Sequence, residues 1–85
     1  MSEPNHPGVH VYALRRLHRL TQEALAERSG LRRTEIVDIE NGRNLCTSAR
    51  VTAALALGFG ITTDQASAVI EGVLEPSAAY KMRAS

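Results

Sequence analysis

Apolar residues recur along this chain at helical spacing and seldom alternate, so the pattern predicts helices and no strands. Val11, Leu14 and Leu17 mark one face of a first helix over residues 9–18. Thr21 then stands as an N-cap before the helix-forming run Gln-Glu-Ala-Leu-Ala-Glu-Arg, with Glu23 in the first turn where the helix dipole favours an acid. Gly30 ends that second helix, and a third follows over residues 33–40 with Ile36 and Ile39 turned inward and Asn41-Gly42 closing it. Thr47 or Ser48 caps a fourth helix through Leu57, carrying Val51, Ala54, Leu55 and Leu57 inward, and Gly58-Phe59-Gly60 is expected to break it. Ala66, Val69, Ile70, Val73 and Leu74 form a stripe that predicts a fifth helix from Thr62 or Thr63 to about Leu74. Outside these elements, residues 1–8 read as a flexible arm around Pro4, Pro7 and Gly8, and residues 76–85 as a loosely ordered tail after Pro76. The expectation is an all-α chain with one folded unit over residues 9–75.

Within it, residues 22–39 meet the demands of two short helices crossing steeply over a tight turn. Such a corner needs a small residue where the helices touch, and Ala26 stands there. It needs a residue free to take positive φ at the turn, supplied by Gly30. Four apolar side chains must seal it, and Leu25, Leu31, Ile36 and Ile39 occupy those positions. Six constraints met together are far more specific than a short motif.

The segment Leu-Thr-Gln-Glu-Ala-Leu-Ala-Glu-Arg-Ser-Gly-Leu from Leu20, with Ile-Val-Asp-Ile-Glu-Asn-Gly-Arg from Ile36, resembles Cro/repressor-type (xenobiotic-response-element-type) helix-turn-helix domains. The resemblance covers about residues 11–61 and implies a compact five-helix bundle of the phage-repressor DNA-binding type, dimeric on a pseudo-palindromic operator. It implies base contact from Arg32, Arg33 and Thr34 at the start of the third helix, with Val37 and Asp38 one turn further on. An arginine there can hold guanine O6 and N7 with two hydrogen bonds. Gln22, Asn41 and Arg43 match positions that contact phosphate and fix register. Arg15 and Glu40 match a structural salt bridge between the first helix and the end of the third. Three departures stand out: Arg19 replaces the usual glycine before the second helix, Asp38 places an acid on the DNA-facing side, and Asn44-Leu45-Cys46-Thr47 replaces the usual entry to the fourth helix.

Charge sharpens this picture. The formal net charge is only +1, yet residues 10–50 hold eight arginines against five acids. Nine of the ten basic residues are arginine, whose planar fork suits phosphate and guanine edges. Arg32 and Arg33 open a helix, the end where cations are disfavoured, which points to an external anion. The lone Cys46 permits no internal disulfide and reads as a small, partly buried filler. His6, His10 and His18 lack metal-ligand spacing, and no phosphate loop, nucleophile elbow or paired carboxylates are present, so neither metal, cofactor nor enzyme is expected. With no apolar run of membrane-spanning length, the chain reads as cytoplasmic.

These readings converge on a sequence-specific transcriptional regulator, a repressor, binding double-stranded DNA as a homodimer. The stripe of Ala66, Val69, Ile70, Val73 and Leu74 is the candidate dimer contact, with packing onto the bundle as its alternative. A second class stays open: a protein-interaction module on the same scaffold, such as an antitoxin or anti-repressor. Its support is the near-neutral total charge and the acids Glu35 and Asp38 near the presumed DNA face.

Overall fold

Short polar side chains set three of the helix starts in the computed structural model, which describes residues 6–43 and 48–82. Thr21 Oγ1 accepts the Ala24 N–H, Ser48 Oγ the Arg50 N–H, and Thr62 Oγ1 the Gln65 N–H, each satisfying a donor that has no partner inside its helix. The helices are α1 (Gly8–Leu17), α2 (Gln22–Ser29), α3 (Arg33–Glu40), α4 (Ala49–Phe59), α5 (Thr63–Ile70) and α6 (Pro76–Met82). No strand occurs among the described residues.

The α2–α3 corner is built as its residue types demand. Gly30 adopts φ +81°, the left-handed region that an L side chain enters only with strain. Ser29 Oγ donates to the Ala26 carbonyl and accepts the Leu31 N–H, which satisfies the buried turn. Leu25, Ala26, Leu31, Ile36 and Ile39 are all buried beneath it. Val11 and Leu14 of α1, Val51, Leu55 and Phe59 of α4, and Val69 and Ile70 of α5 complete one continuous core. Arg28 ties α2 to α4 through its Nε donating to the Gly58 carbonyl at 3.0 Å. The start of α1 lies so close to the end of α3 that a Cβ on Gly8 would collide with the Ile39 carbonyl oxygen. Only glycine allows that approach.

Several expectations need correction. The described residues include a sixth helix: Pro76–Met82 is helical, and Ala79 is fully buried against the core with Tyr80 half-buried beside it. Pro76 opens α6, because proline fits the first helical turn where an N–H would be unpartnered anyway. The His18 ring lies 5.2 Å from Phe59 and 4.9 Å, edge to face, from Tyr80, linking α1, α4 and α6. At the other end, Pro7 serves as the N-cap of α1 and Gly8 is its buried first residue, so the folded unit begins inside the expected arm.

Gly58 and Phe59 continue α4, only Gly60, at φ +70°, ends it, and Leu57, expected to face inward, is 71% exposed. The α5 helix stops at Ile70 rather than near Leu74. Ala66, Val69 and Ile70 are buried within the chain itself. Val73 is 79% exposed beyond the helix, and Leu74 is half-buried at the core edge. Ala66, Val69 and Ile70 thus pack inside the bundle, while Val73 stays open. Residues 1–5, 44–47 and 83–85, including Cys46 and the alternative cap Thr47, lie outside the described residues.

Candidate nucleic-acid interface

The first turn of α3 presents Arg32, Arg33 and Thr34 in succession, and all three are exposed. Arg32 is the N-cap, in extended backbone geometry at φ −79°, ψ 151°. An arginine side chain offers no acceptor to cap with, so the carboxylate of Glu35 does the local work. Its Oε1 accepts the Arg32 N–H at 2.9 Å, and its Oε2 accepts from Arg50 Nη2 of α4 at 2.9 Å. At the first two positions of α3, the Arg33 and Thr34 N–H groups have no partner inside the helix and point where its dipole is positive. Thus α3 opens with two guanidinium groups, a hydroxyl and unpartnered amides.

That carboxylate feels its partners. The Arg32 backbone N–H first, and then the Arg50 guanidinium, hold Glu35 below the ordinary glutamate range. A folded-state pKa below the unfolded one stabilises above the unfolded value, and that stability is lost as pH falls through the folded value. Glu35→Gln should therefore unfold more readily than the parent chain at neutral pH. The gap should close as pH drops below about 4.3, read from urea unfolding at stepped pH.

One turn along, Val37 and Asp38 are half-buried. Asp38 Oδ1 accepts from Arg43 Nη1 at 3.2 Å, and the Arg43 N–H donates to the Asp38 carbonyl at 2.9 Å. The acid on this face is thus folded back onto the arginine that follows the helix. Asn41, exposed, ends α3 with its N–H donated to the Val37 carbonyl. On α2, Glu23 pairs with Arg33 across the corner at 3.0 Å, both side chains remaining more than half exposed.

Behind this surface lies a buried polar cluster. Arg15 Nε and Nη2 donate to the two carboxylate oxygens of Glu40 at 2.6 and 3.1 Å, and Arg15 Nη1 donates to the Leu20 carbonyl at 2.8 Å. Gln22 Nε2 donates to Glu40 Oε1 at 3.1 Å. The side chain expected to reach outward to phosphate is therefore tethered inward at the joint of α1, α2 and α3. What α2 still offers an anion is the pair of leading amides, Gln22 and Glu23.

The structure brings Gln22, Arg32, Arg33, Thr34, Val37, Asp38, Asn41 and Arg43 onto the two corner helices and the turn that follows. Glu23, Glu35 and Arg50 join them through ion pairs that sequence reasoning missed. Glu35, three residues beyond Arg32, had a visible signal in capping-box spacing. The Arg33–Glu23 and Arg50–Glu35 pairs join different helices, which no local spacing rule reaches. Among the described residues, no three His, Cys, Asp or Glu side chains are grouped as metal ligands, and no single helix is long and apolar enough to cross a membrane.

The family model described as helix-turn-helix domain matches residues 8–75 of the chain. No curated protein and no solved structure matches it.

Proposed function

From the premise that the chain belongs to the helix-turn-helix domain family, we propose that it is a sequence-specific DNA-binding regulator and not an enzyme. In this reading it is a repressor of the Cro/repressor type, acting in the cytoplasm as a homodimer on a pseudo-palindromic operator. The observation that carries the reading is the start of α3, where Arg32, Arg33 and Thr34 stand exposed on a helix anchored by buried Ile36 and Ile39. A rigid helix presenting donors from its first turn suits the major groove. Arg32 and Arg33 are assigned to guanine edges, Thr34 to a base edge or a thymine methyl, and Val37 and Asp38 to the bases one turn on. The leading amides of α2, with Asn41 and Arg43, are assigned to phosphate. One such module reads few bases, so pairing on a two-fold site supplies the rest of the affinity.

The measurement is fluorescence anisotropy on duplexes covering the DNA that flanks the coding sequence, over a range of salt. Salt-sensitive binding to one duplex above the others is expected, and Arg33→Ala should weaken it by about 1–3 kcal/mol. Absence of sequence-selective binding, with Arg33→Ala making no difference, would sink the reading. The ion pairs that partly neutralise this surface favour a second reading, a protein-interaction module such as an antitoxin or anti-repressor. That reading gains if no duplex is bound.

A further inference from the structure

Of Arg32, Arg33, Arg43 and Arg50, only Arg32 has no ion pair among the described residues. Arg33 is held by Glu23 at 3.0 Å, Arg43 by Asp38 at 3.2 Å and Arg50 by Glu35 at 2.9 Å. The first of these differs from the other two in what it restrains. It joins the leading turns of α2 and α3, and the cation it holds is one of the two assigned above to guanine edges. Arg33 and Glu23 stay 54% and 69% exposed, so the pair opens and closes in water and is held by little else.

We propose that Glu23 is a specificity-determining residue, which keeps Arg33 from the phosphate backbone of unmatched DNA and yields it to a matching guanine. The proposal rests on the DNA-binding reading of α3. Its logic is a competition among three acceptors for one guanidinium. An exposed ion pair is worth about one- to fivefold in an equilibrium constant. A two-bond arginine–guanine contact is worth roughly 5- to 150-fold, so a correct base takes Arg33 from Glu23. A phosphate oxygen offers the same kind of charge-assisted hydrogen bond as the carboxylate. Moving Arg33 to either acceptor leaves the Glu23 charge bare beside a polyanion, a cost that only the stronger guanine contact outweighs. On unmatched DNA Glu23 therefore competes with phosphate for Arg33 and weakens any backbone contact it makes.

The test is Glu23→Gln, which keeps the side-chain length and leaves the Thr21 cap of α2 in place. Two probes are compared by anisotropy over a range of salt. One is a mixed-sequence duplex of about 20 base pairs, two helical turns. The other is a duplex of equal length enriched from a random pool by the parent chain. Releasing Arg33 should strengthen binding to the mixed duplex about two- to fivefold at about 0.1 M salt, and steepen its log–log salt slope by up to about 0.9, one added phosphate contact. Binding to the enriched duplex should gain less, so discrimination narrows. Glu75→Gln, which removes the same charge on the α5–α6 connection, should move both duplexes slightly and together. In an Arg33→Ala background, Glu23→Gln should do no more than that control.

If the parent chain binds the enriched duplex but Glu23→Gln leaves the mixed-duplex affinity and slope unchanged, the role of Glu23 is overturned while the DNA reading stands. The same follows if the Glu75 control matches it. If the parent chain binds neither duplex, both fall.

Discussion

Glu40→Ala should lower the stability of this domain by about 3–5 kcal/mol in urea unfolding followed by circular dichroism. The Glu40 side chain is 5% exposed and accepts three hydrogen bonds, two from Arg15 and one from Gln22. Removing it strands the Arg15 guanidinium, itself 10% exposed, with the Leu20 carbonyl as its remaining acceptor. An uncompensated buried cation is among the largest penalties one substitution can impose. Domains of this size are held by roughly 0.05–0.15 kcal/mol per residue, so the loss takes much of the total. The double change Arg15→Met with Glu40→Leu should recover most of it, because no charge is then left buried alone. A loss below about 1 kcal/mol for Glu40→Ala would mean that the cluster behaves like an exposed ion pair.

Ile36→Ala should cost about 2–5 kcal/mol, from lost apolar burial and the cavity left beneath the corner. Ile36 has no exposed surface and lies with Leu25 and Ile39 in the part of the core that seats α3. In a domain this small, the thermal midpoint should fall by roughly 10 °C or more. At a temperature where the variant remains folded, its DNA affinity should match the parent's, since Ile36 has no surface to offer a ligand. Arg33→Ala should show the converse, with near-parent stability and weakened binding. The pair separates the inner face of α3 from its outer face.

The sequence made the corner legible because its demands are local and stereochemical. Ala26, Gly30, Leu25, Leu31, Ile36 and Ile39 each answer a geometric need that can be stated within a window of eighteen residues, Gln22 to Ile39. The C-terminal end was not legible in this way. Pro76 marks either a stop or a start, and the deciding fact is Ala79 buried against a core assembled mainly from distant residues. Similarly, Val73 and Leu74 continue the helical spacing of α5, but Gly72 takes φ +81° and ends that register first. Hydrophobic periodicity alone cannot see a backbone reversal.

The candidate interface divides along the same line. That Arg32, Arg33 and Thr34 open α3 followed from helix punctuation. That Gln22 turns inward to Glu40, and that Arg33, Arg43 and Arg50 are each met by a carboxylate, depends on partners 5 to 18 positions away. The strain at Arg19 belongs between these cases. Its φ of +57° is where a glycine would sit without penalty, as the departure from the family pattern suggested.

The central claim is that the leading turn of α3 is the surface that meets DNA. Amide-resolved NMR of the isotope-labelled chain, titrated with a mixed-sequence duplex and then with salt, tests it directly. The largest shifts should fall on Gln22, Glu23, Arg32, Arg33, Thr34, Asp38 and Arg43, and should reverse as salt rises. Shifts gathered instead around Leu57, Val73 and Met82, the exposed apolar residues on and beyond α4 to α6, would contradict it, as would a spectrum that the duplex leaves unchanged.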